Sequence, residues 1–151
     1  MTTHTDNARL FFVDCEAPFG CPSPAVGDMT EFAAVEYETR DYFHGHDCSE
    51  RTMMLFAAWL GHKRGGKRPI FVSDNPAYDW QWISFYFAKY GIDNPFGHSA
   101  RRIGDFYAGL VGDFGAASRW KRLRVTKHDH NPVNDAMGNA EAFTRIMHGE
   151  R

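Results

Sequence analysis

The feature that most constrains the fold is a short apolar run that ends in two carboxylates. Leu10-Phe11-Phe12-Val13 is followed at once by Asp14 and, two positions further on, by Glu16. An apolar run of this length predicts a buried strand. Side chains alternate between the two faces of a strand, so residues two apart point the same way. The sequence therefore predicts a buried strand that presents a pair of carboxylates, Asp14 and Glu16, on one face at its end.

The same short pattern, Asn-Pro-x-x-Asp, occurs twice later in the chain. It appears as NPAYD at 75–79 and as NPVND at 131–135. Asn is a preferred N-cap residue and Pro a preferred first residue of a helix. Each pattern therefore predicts a helix that begins at the proline, with Asp79 or Asp135 in its first turn.

The two aspartates are expected to differ in their position around the helix. Asp79 continues the apolar row of its helix, which consists of Ile83, Tyr86, Phe87 and Tyr90. At about 100° per residue, Asp135 falls away from the centre of the apolar stripe of the last helix. That stripe consists of Val133, Ala136, Met137, Ala140, Phe143 and Met147. We therefore expect Asp79 to face the core and Asp135 to lie on the flank of its helix.

A strand end and two helix starts that meet at one point would bring four carboxylates together. Like charges at short distance are tolerated mainly where a cation neutralises them. The four acids, Asp14, Glu16, Asp79 and Asp135, are thus the candidate ligands of a metal centre.

Length and composition fit one globular domain with a substantial core. The chain has 151 residues, 43% of them hydrophobic and 15% aromatic, and a formal net charge of −2. Residues 1–9 are interpreted as a short disordered lead and residues 10–151 as the domain. The polar N-terminus and the three cysteines, which do not have disulfide-framework spacing, favour a reducing cytoplasmic environment. No apolar stretch has the length of a membrane span, so no membrane association is expected.

Strands that come first, followed by alternating helices and strands, predict an α/β mixed sheet flanked by helices. Strands are predicted at 10–16, 30–37, 40–44, 69–73 and, late in the chain, 123–126. Helices are predicted after the N-cap Ser49 to about His62, and at 76–90, 103–110 and 132–147.

The acidic motifs, in this order, resemble those of the DEDDh group of 3′-to-5′ exonucleases. The first motif of that group, Asp-x-Glu, is matched by Asp14 and Glu16, and the second, Asn with Asp four residues on, by the 75–79 segment. The third, His-x4-Asp, is matched by His130 and Asp135. A sister group has Tyr four residues before the last Asp, where this chain has Asn131. The string HNPVNDAMGNAEAF looks closest to small stand-alone exoribonucleases of the group.

The resemblance covers nearly the whole chain and implies an RNase H-like fold in a single domain. It implies a two-metal-ion hydrolysis of phosphodiesters with Mg²⁺ or Mn²⁺. Asp14 would bridge both ions, Glu16 and Asp135 would complete one site, and Asp79 would support the other through water. His130, which can titrate near neutrality, would act as the general base.

The chain departs from the group directly after the first motif. Many members have Thr-Thr-Gly there, whereas this chain has Ala17-Pro18-Phe19. The hydroxyls that help to hold the terminal nucleotide are absent, but the N–H group of Ala17 could serve, and Phe19 could stack on the last base. Packing of Phe19 within the loop is the alternative. Asn75 is the third candidate substrate-binding residue.

The resemblance favours single-stranded RNA, or short 3′ overhangs, as substrate and nucleoside 5′-monophosphates as products. A DNA exonuclease of repair or proofreading type and a catalytically silent nucleic-acid-binding module are the alternatives. Basic segments at 62–68, 101–102 and 119–127 could follow a phosphate backbone or could be ordinary solvated surface. A homodimer is also expected from the resemblance.

A further group of possible metal ligands is His44-x-His46-x-Cys48, which could be combined with His128 into a zinc site. A fourth ligand at the usual spacing is missing. We therefore interpret this segment as a strand-to-helix turn, and His128 as a polar neighbour of the phosphates.

Overall fold

A computed structural model describes residues 7–151, which form an α/β fold around one mixed sheet. In chain order the strands are β1 (Ala8–Glu16), β2 (Glu31–Glu36), β3 (Tyr42–Gly45), β4 (Arg68–Ser73) and β5 (Ala100–Arg102). The helices are α1 (Glu50–Lys63), α2 (Pro76–Lys89), α3 (Ile103–Val111) and α4 (Pro132–Met147). Two 3₁₀ turns, Phe114–Ala116 and Arg119–Leu123, connect α3 to α4. The predicted mixed sheet flanked by helices is confirmed.

The strand that carries the two carboxylates lies at the centre of the sheet. The strand order is β3-β2-β1-β4-β5, with β1 antiparallel to β2 and parallel to β4. β1 begins at Ala8 rather than at residue 10, because Ala8 and Arg9 pair with Arg68 and Pro69 of β4. Residues 8 and 9, which were predicted as part of the disordered lead, therefore belong to β1. The first six residues of that predicted lead lie outside the described part of the chain.

The two faces of the sheet build separate halves of the core. Phe11 and Val13 point towards α1 and α2, where they join an aromatic cluster with the fully buried Phe56, Trp82 and Phe87 as members. On the opposite face, a second cluster of buried residues forms the other half of the core. Its members include Phe12, Val72, Tyr107, Trp120, Ala136 and Ala140. Alternation along β1 therefore places Asp14 and Glu16 on the face that α4 covers.

The helix predictions agree closely with the structure. The side chain of Ser49 accepts a hydrogen bond from the N–H of Thr52 and so caps α1, as expected. α4 has the predicted bounds, and α2 ends at Lys89, one residue earlier than predicted. None of the helices described in residues 7–151 has the length and apolarity that a membrane span requires.

The predicted strand at 123–126 is wrong. Leu123 closes a 3₁₀ turn, and the backbone N–H groups of Val125 and Thr126 donate to the carboxylate of Glu141 on α4. Gly138 allows this close approach, because a Cβ there would lie 2.6 Å from the carbonyl oxygen of Thr126. The fifth strand of the sheet is instead the short segment Ala100–Arg102, which was not predicted.

The expectation that Asp135 lies on the flank of its helix is also wrong. Asp135 is 2% exposed and stands in one buried row of α4 with Asn139, Ala142 and Ile146. The large side chains of the predicted stripe are only half-buried at Met137 and Phe143. The buried face is rotated towards small residues because α4 packs close to the sheet, which leaves little space for bulk.

Candidate active site

The carboxyl end of β1 forms the floor of the site. Asp14 pairs with Ala33 and Glu16 with Glu31 across the antiparallel ladder. Directly opposite residues share a face of the sheet, so the small side chain of Ala33 leaves room beside Asp14 for the first turn of α4.

Three of the four predicted acids come together at this point. Asp14, Glu16 and Asp135 each offer a carboxylate oxygen, and these oxygens all lie within 4.8 Å of one another. Asp135 is brought there by the first turn of α4, as the Asn-Pro pattern predicts. The prediction of a carboxylate cluster at the strand end is thus reproduced for these three residues.

Asp79 approaches the same strand end from the opposite layer. It is 4% exposed, and its Oδ1 accepts a hydrogen bond of 3.0 Å from the backbone N–H of Cys15. Among the described residues it does not belong to the group of three carboxylates within 4.8 Å. Asp79 is nevertheless close enough to act electrostatically on Asp14.

The proton affinities of these carboxyl groups reflect burial and mutual repulsion. Burial, followed by the negative charges of Asp79, Asp135 and Glu16, holds the pKa of Asp14 well above its ordinary value. Burial also raises the pKa of Asp79 to about 7, although the hydrogen bond from Cys15 opposes that change. Without a cation, the site therefore disfavours full ionisation.

The donor set fits a divalent metal ion. Oδ2 of Asp14 is buried and has no hydrogen-bond partner among the described residues, so a polar atom faces the cluster without compensation. Carboxylate oxygens are the ligands that Mg²⁺ and Mn²⁺ prefer. Asp14, Glu16 and Asp135 are the residues that could hold such an ion, and Asp79 stands behind Asp14.

Two histidines precede α4 and border the acids. Nδ1 of His128 lies 2.8 Å from Oδ2 of Asp135, and Nδ1 of His130 lies 3.8 Å from Oε1 of Glu16. The two rings are 4.4 Å apart in an edge-on arrangement. The side chain of His130 is 75% exposed, whereas that of His128 is 48% exposed. His128 is therefore a neighbour of the acids, and among the described residues it does not belong to a group of possible metal ligands with His44 or His46.

The loop that carries the histidines is held by Asp129, which the sequence reasoning missed. Its carboxylate accepts hydrogen bonds from the N–H of Asn131 and the side-chain amide of Asn134. Its own N–H donates to Oδ1 of Asp135. Together these hydrogen bonds stabilise a tight turn. In this turn His130 adopts a φ of +62°, which is rare for residues other than glycine. The Asx-turn pattern of Asp two residues before Asn was the available signal.

A groove of about 560 Å³ opens beside the acids. It is lined by the segment from Glu16 to Pro22 together with Tyr78 and His130. Two of the predicted substrate-binding residues, Ala17 and Phe19, line this groove, and the ring of Phe19 is fully exposed. Asn75 is exposed at the start of α2 and is not among the lining residues. Tyr78 is a lining residue from α2 that the sequence did not indicate.

The chain is similar to a curated sequence and to a solved structure, whereas no family model matches it. It is 30% identical over 105 residues to the 3′-5′ DNA exonuclease Cap18 of Escherichia coli. That alignment covers 62% of this chain and 54% of the relative, so the chain spans about half the length of the relative it matches.

The structural similarity covers nearly the whole of both chains. The nuclease domain of 3′hExo, a DEDDh family member solved with bound rAMP, superposes with a TM-score of 0.70 at 13% identity. The match spans 97% of this chain and 94% of that domain. The chain therefore has the fold of this nuclease domain, and the fold class that the motifs imply is confirmed. The similar sequence and the similar structure both agree with the resemblance stated from the motifs.

Proposed function

We propose that the protein is a metal-dependent 3′-to-5′ exonuclease that acts on single-stranded nucleic acid. The observation that carries the proposal is the convergence of Asp14, Glu16 and Asp135, with ligand oxygens within 4.8 Å, beside an open groove. A similar sequence named as a 3′-5′ exonuclease and the DEDDh nuclease fold support it.

Two divalent cations, Mg²⁺ or Mn²⁺, are the proposed cofactors. Asp14, Glu16 and Asp135 would hold them, and Asp79 would contribute from the opposite layer, next to Asp14. When bound, such ions stabilise the charge that develops on the attacking and leaving oxygens of an in-line displacement. Oδ2 of Asp14, which is buried and has no hydrogen-bond partner within residues 7–151, supports this assignment.

His130 is the proposed general base. Its imidazole is exposed, borders the groove and lies near Glu16, so a water molecule can reach both the ring and the scissile phosphate. His130 takes the proton from that water, whose oxygen forms a bond to phosphorus as the bond from phosphorus to the 3′ oxygen breaks, and the departing 3′ oxygen takes up a proton from solvent. The products are a nucleoside 5′-monophosphate and a strand with a new 3′-hydroxyl group.

The groove supplies the proposed contacts to the 3′-terminal nucleotide. The exposed ring of Phe19 is free to stack on the last base, and base–aromatic stacking contributes about 1–3 kcal/mol. The backbone N–H of Ala17 is the proposed donor to the terminal sugar in place of the missing hydroxyls. Asn75, at the start of α2, is the proposed contact to the next nucleotide.

RNA is the first candidate substrate, on the resemblance of the third motif region to small exoribonucleases. DNA is the second, and it is favoured by one specific observation, the name of the Escherichia coli relative. The proposed reaction is the same for both. Contacts to a 2′-hydroxyl group decide between them.

The test uses 5′-labelled single-stranded RNA and DNA of one sequence, incubated with wild type or Asp14→Asn in Mg²⁺, Mn²⁺ or EDTA. A ladder that shortens from the 3′ end, requires metal and is lost in the variant supports the proposal and ranks the substrates. Undiminished cleavage by Asp14→Asn would refute the metal assignment. Strand binding without cleavage under any metal would favour the silent binding module.

We also propose a homodimer and a cytoplasmic location. Met54 and Leu55 expose more than half of their surface on α1, which leaves apolar area for an interface. Cys15, Cys21 and Cys48 are all free thiols, as a reducing compartment requires. Light scattering of the purified chain tests the dimer, and a monomer at all concentrations would refute it.

A further inference from the structure

A second group of metal-ligand side chains lies on the same face of the sheet, on β2 and at the end of β3, and its member on β2, Glu31, lies directly opposite Glu16 of the acidic centre. Ala33 of β2 pairs with His44 of β3, and Phe32 pairs with Gly45. Continued by one residue, this register places His46 opposite Glu31. Residues two apart on a strand share a face, so Glu31, His44 and His46 all project from the face that carries Asp14 and Glu16.

Close packing beneath Gly45 fixes this arrangement. A Cβ at Gly45 would lie 2.2 Å from the ring of Phe32, so only glycine fits between the two histidines. The ring of Phe32 is itself fully buried and packs against Phe43 and Phe56. The backbone that carries both imidazoles is therefore anchored in the core.

The ligand atoms of the three side chains lie close enough together for one ion to reach all of them. Nε2 of His44 lies 2.8 Å from Oε2 of Glu31, and the rings of His44 and His46 are 4.0 Å apart. One ligand atom from each residue lies within 4.8 Å of the other two. The hydrogen bond between His44 and Glu31 provides a partner for Nε2 of His44 only. The ring of His46 forms no hydrogen bond within residues 7–151, although it is turned towards the other two side chains.

We infer that Glu31, His44 and His46 bind one Zn²⁺-class transition-metal ion, at a site separate from the acidic centre. Two imidazoles and one carboxylate suit such an ion better than Mg²⁺, which prefers oxygen ligands alone. Three protein ligands leave a fourth coordination position open. His46 is exposed, so solvent can reach the group.

The structure also explains why Cys48 is not a ligand. Cys48 packs against the aromatic cluster under α1 and α2, on the other side of the sheet. Its carbonyl oxygen accepts a hydrogen bond from Tyr90, which ties the segment to α2. The third ligand beside His44 and His46 is therefore the carboxylate of Glu31, which is distant in sequence, and not the thiol of Cys48.

The test measures zinc binding by the full chain in millimolar Mg²⁺, which occupies oxygen-ligand sites. Wild type, Asp14→Asn and the control His62→Ala, which removes an exposed histidine at the end of α1, are each expected to bind one Zn²⁺ with similar affinity. His46→Ala and Glu31→Gln are expected to lose at least about tenfold in affinity. Circular dichroism establishes that each variant is folded.

A second measurement identifies the ligands independently of affinity. Co²⁺ in place of Zn²⁺ is expected to give the intense visible absorption of a four-coordinate site in wild type and Asp14→Asn, and to lose it in His46→Ala. Zinc affinity in His46→Ala and Glu31→Gln equal to wild type would overturn the inference. Loss of the bound zinc in Asp14→Asn would assign the ion to the acidic centre instead, and the inference would again be wrong.

Discussion

The amino termini of α2 and α4 are built from the same Asn-Pro-x-x-Asp pattern but hold their aspartates differently. Asp135 lies among the other carboxylates, and its helix is capped by the side chain of Asn131, which accepts from the N–H groups of Val133 and Asn134. Asp79 is bound to the backbone of Cys15, and the Asn75 side chain forms no capping hydrogen bond. The same local pattern thus places Asp135 of α4 within the carboxylate cluster and Asp79 of α2 outside it, against the backbone of β1.

The largest expected difference between the two helix starts is in catalysis. Asp135→Asn removes one of three converging ligands and is expected to lower kcat by roughly a thousandfold or more. Asp79→Asn keeps the hydrogen bond from Cys15 and is expected to cost about ten- to a hundredfold. Single-turnover rates on a 5′-labelled strand at saturating Mg²⁺ measure both. Equal losses in the two variants would contradict the distinction.

The two histidines before α4 offer the next comparison. His130→Ala is expected to lower the rate by about a hundredfold, because general-base assistance contributes roughly 10²–10⁴. His128→Ala is expected to weaken metal binding through Asp135 while leaving more of the rate at saturating metal. Rates measured over a range of Mg²⁺ concentrations separate the two effects. A His130→Ala rate equal to wild type would exclude the base role.

The metal-free protein should reveal the buried charge of Asp79 as a pH-dependent stability. Its raised pKa means that the folded protein binds this proton more tightly than the unfolded chain does. The contribution of this group to stability is therefore fully present at pH values below its ordinary pKa. The free energy of unfolding falls as pH rises from there towards 7. Asp79→Asn is expected to raise the free energy of unfolding by about 2 kcal/mol at pH 8 in EDTA.

Asp47 provides a control of opposite sign. Hydrogen bonds from Thr52 and Ser49 lower the pKa of the Asp47 carboxyl group to about 2. Its contribution is present above its ordinary pKa and is lost only as pH falls towards 2, so Asp47→Asn is expected to destabilise the protein at pH 8. Urea denaturation at pH 5 and pH 8 checks both variants. A destabilised Asp79→Asn protein at pH 8 in EDTA would contradict the electrostatic account.

The smallest expected difference is in capping. Asn131→Ala removes two side-chain hydrogen bonds to the first turn of α4 and is expected to cost about 1 kcal/mol. Asn75→Ala removes none and is expected to change the free energy of unfolding by less than about 0.5 kcal/mol. Thermal unfolding of the two variants in EDTA tests this, and equal costs would show that both side chains cap.

Most of the fold and the identity of the acids could be predicted from the sequence, because both depend on local signals. The apolar run before Asp14, the Ser49 cap and the two Asn-Pro pairs each act within one or two turns of backbone. The segment at 123–126 could not be predicted in this way. Its apolar alternation resembles a strand, but its N–H groups bond to Glu141, and that partner is set by packing against Gly138.

The sequence by itself determined which side chains are acidic or basic and which of them begin helices. Tertiary structure decided which of these side chains meet. Asp14, Glu16 and Asp135 converge because β1 and α4 share one face of the sheet, whereas Asp79 arrives from the other layer. Glu31 joins His44 and His46 through strand register alone. Long-range pairing of this kind depends on the assembly of the whole sheet, and no local pattern of residues encodes it.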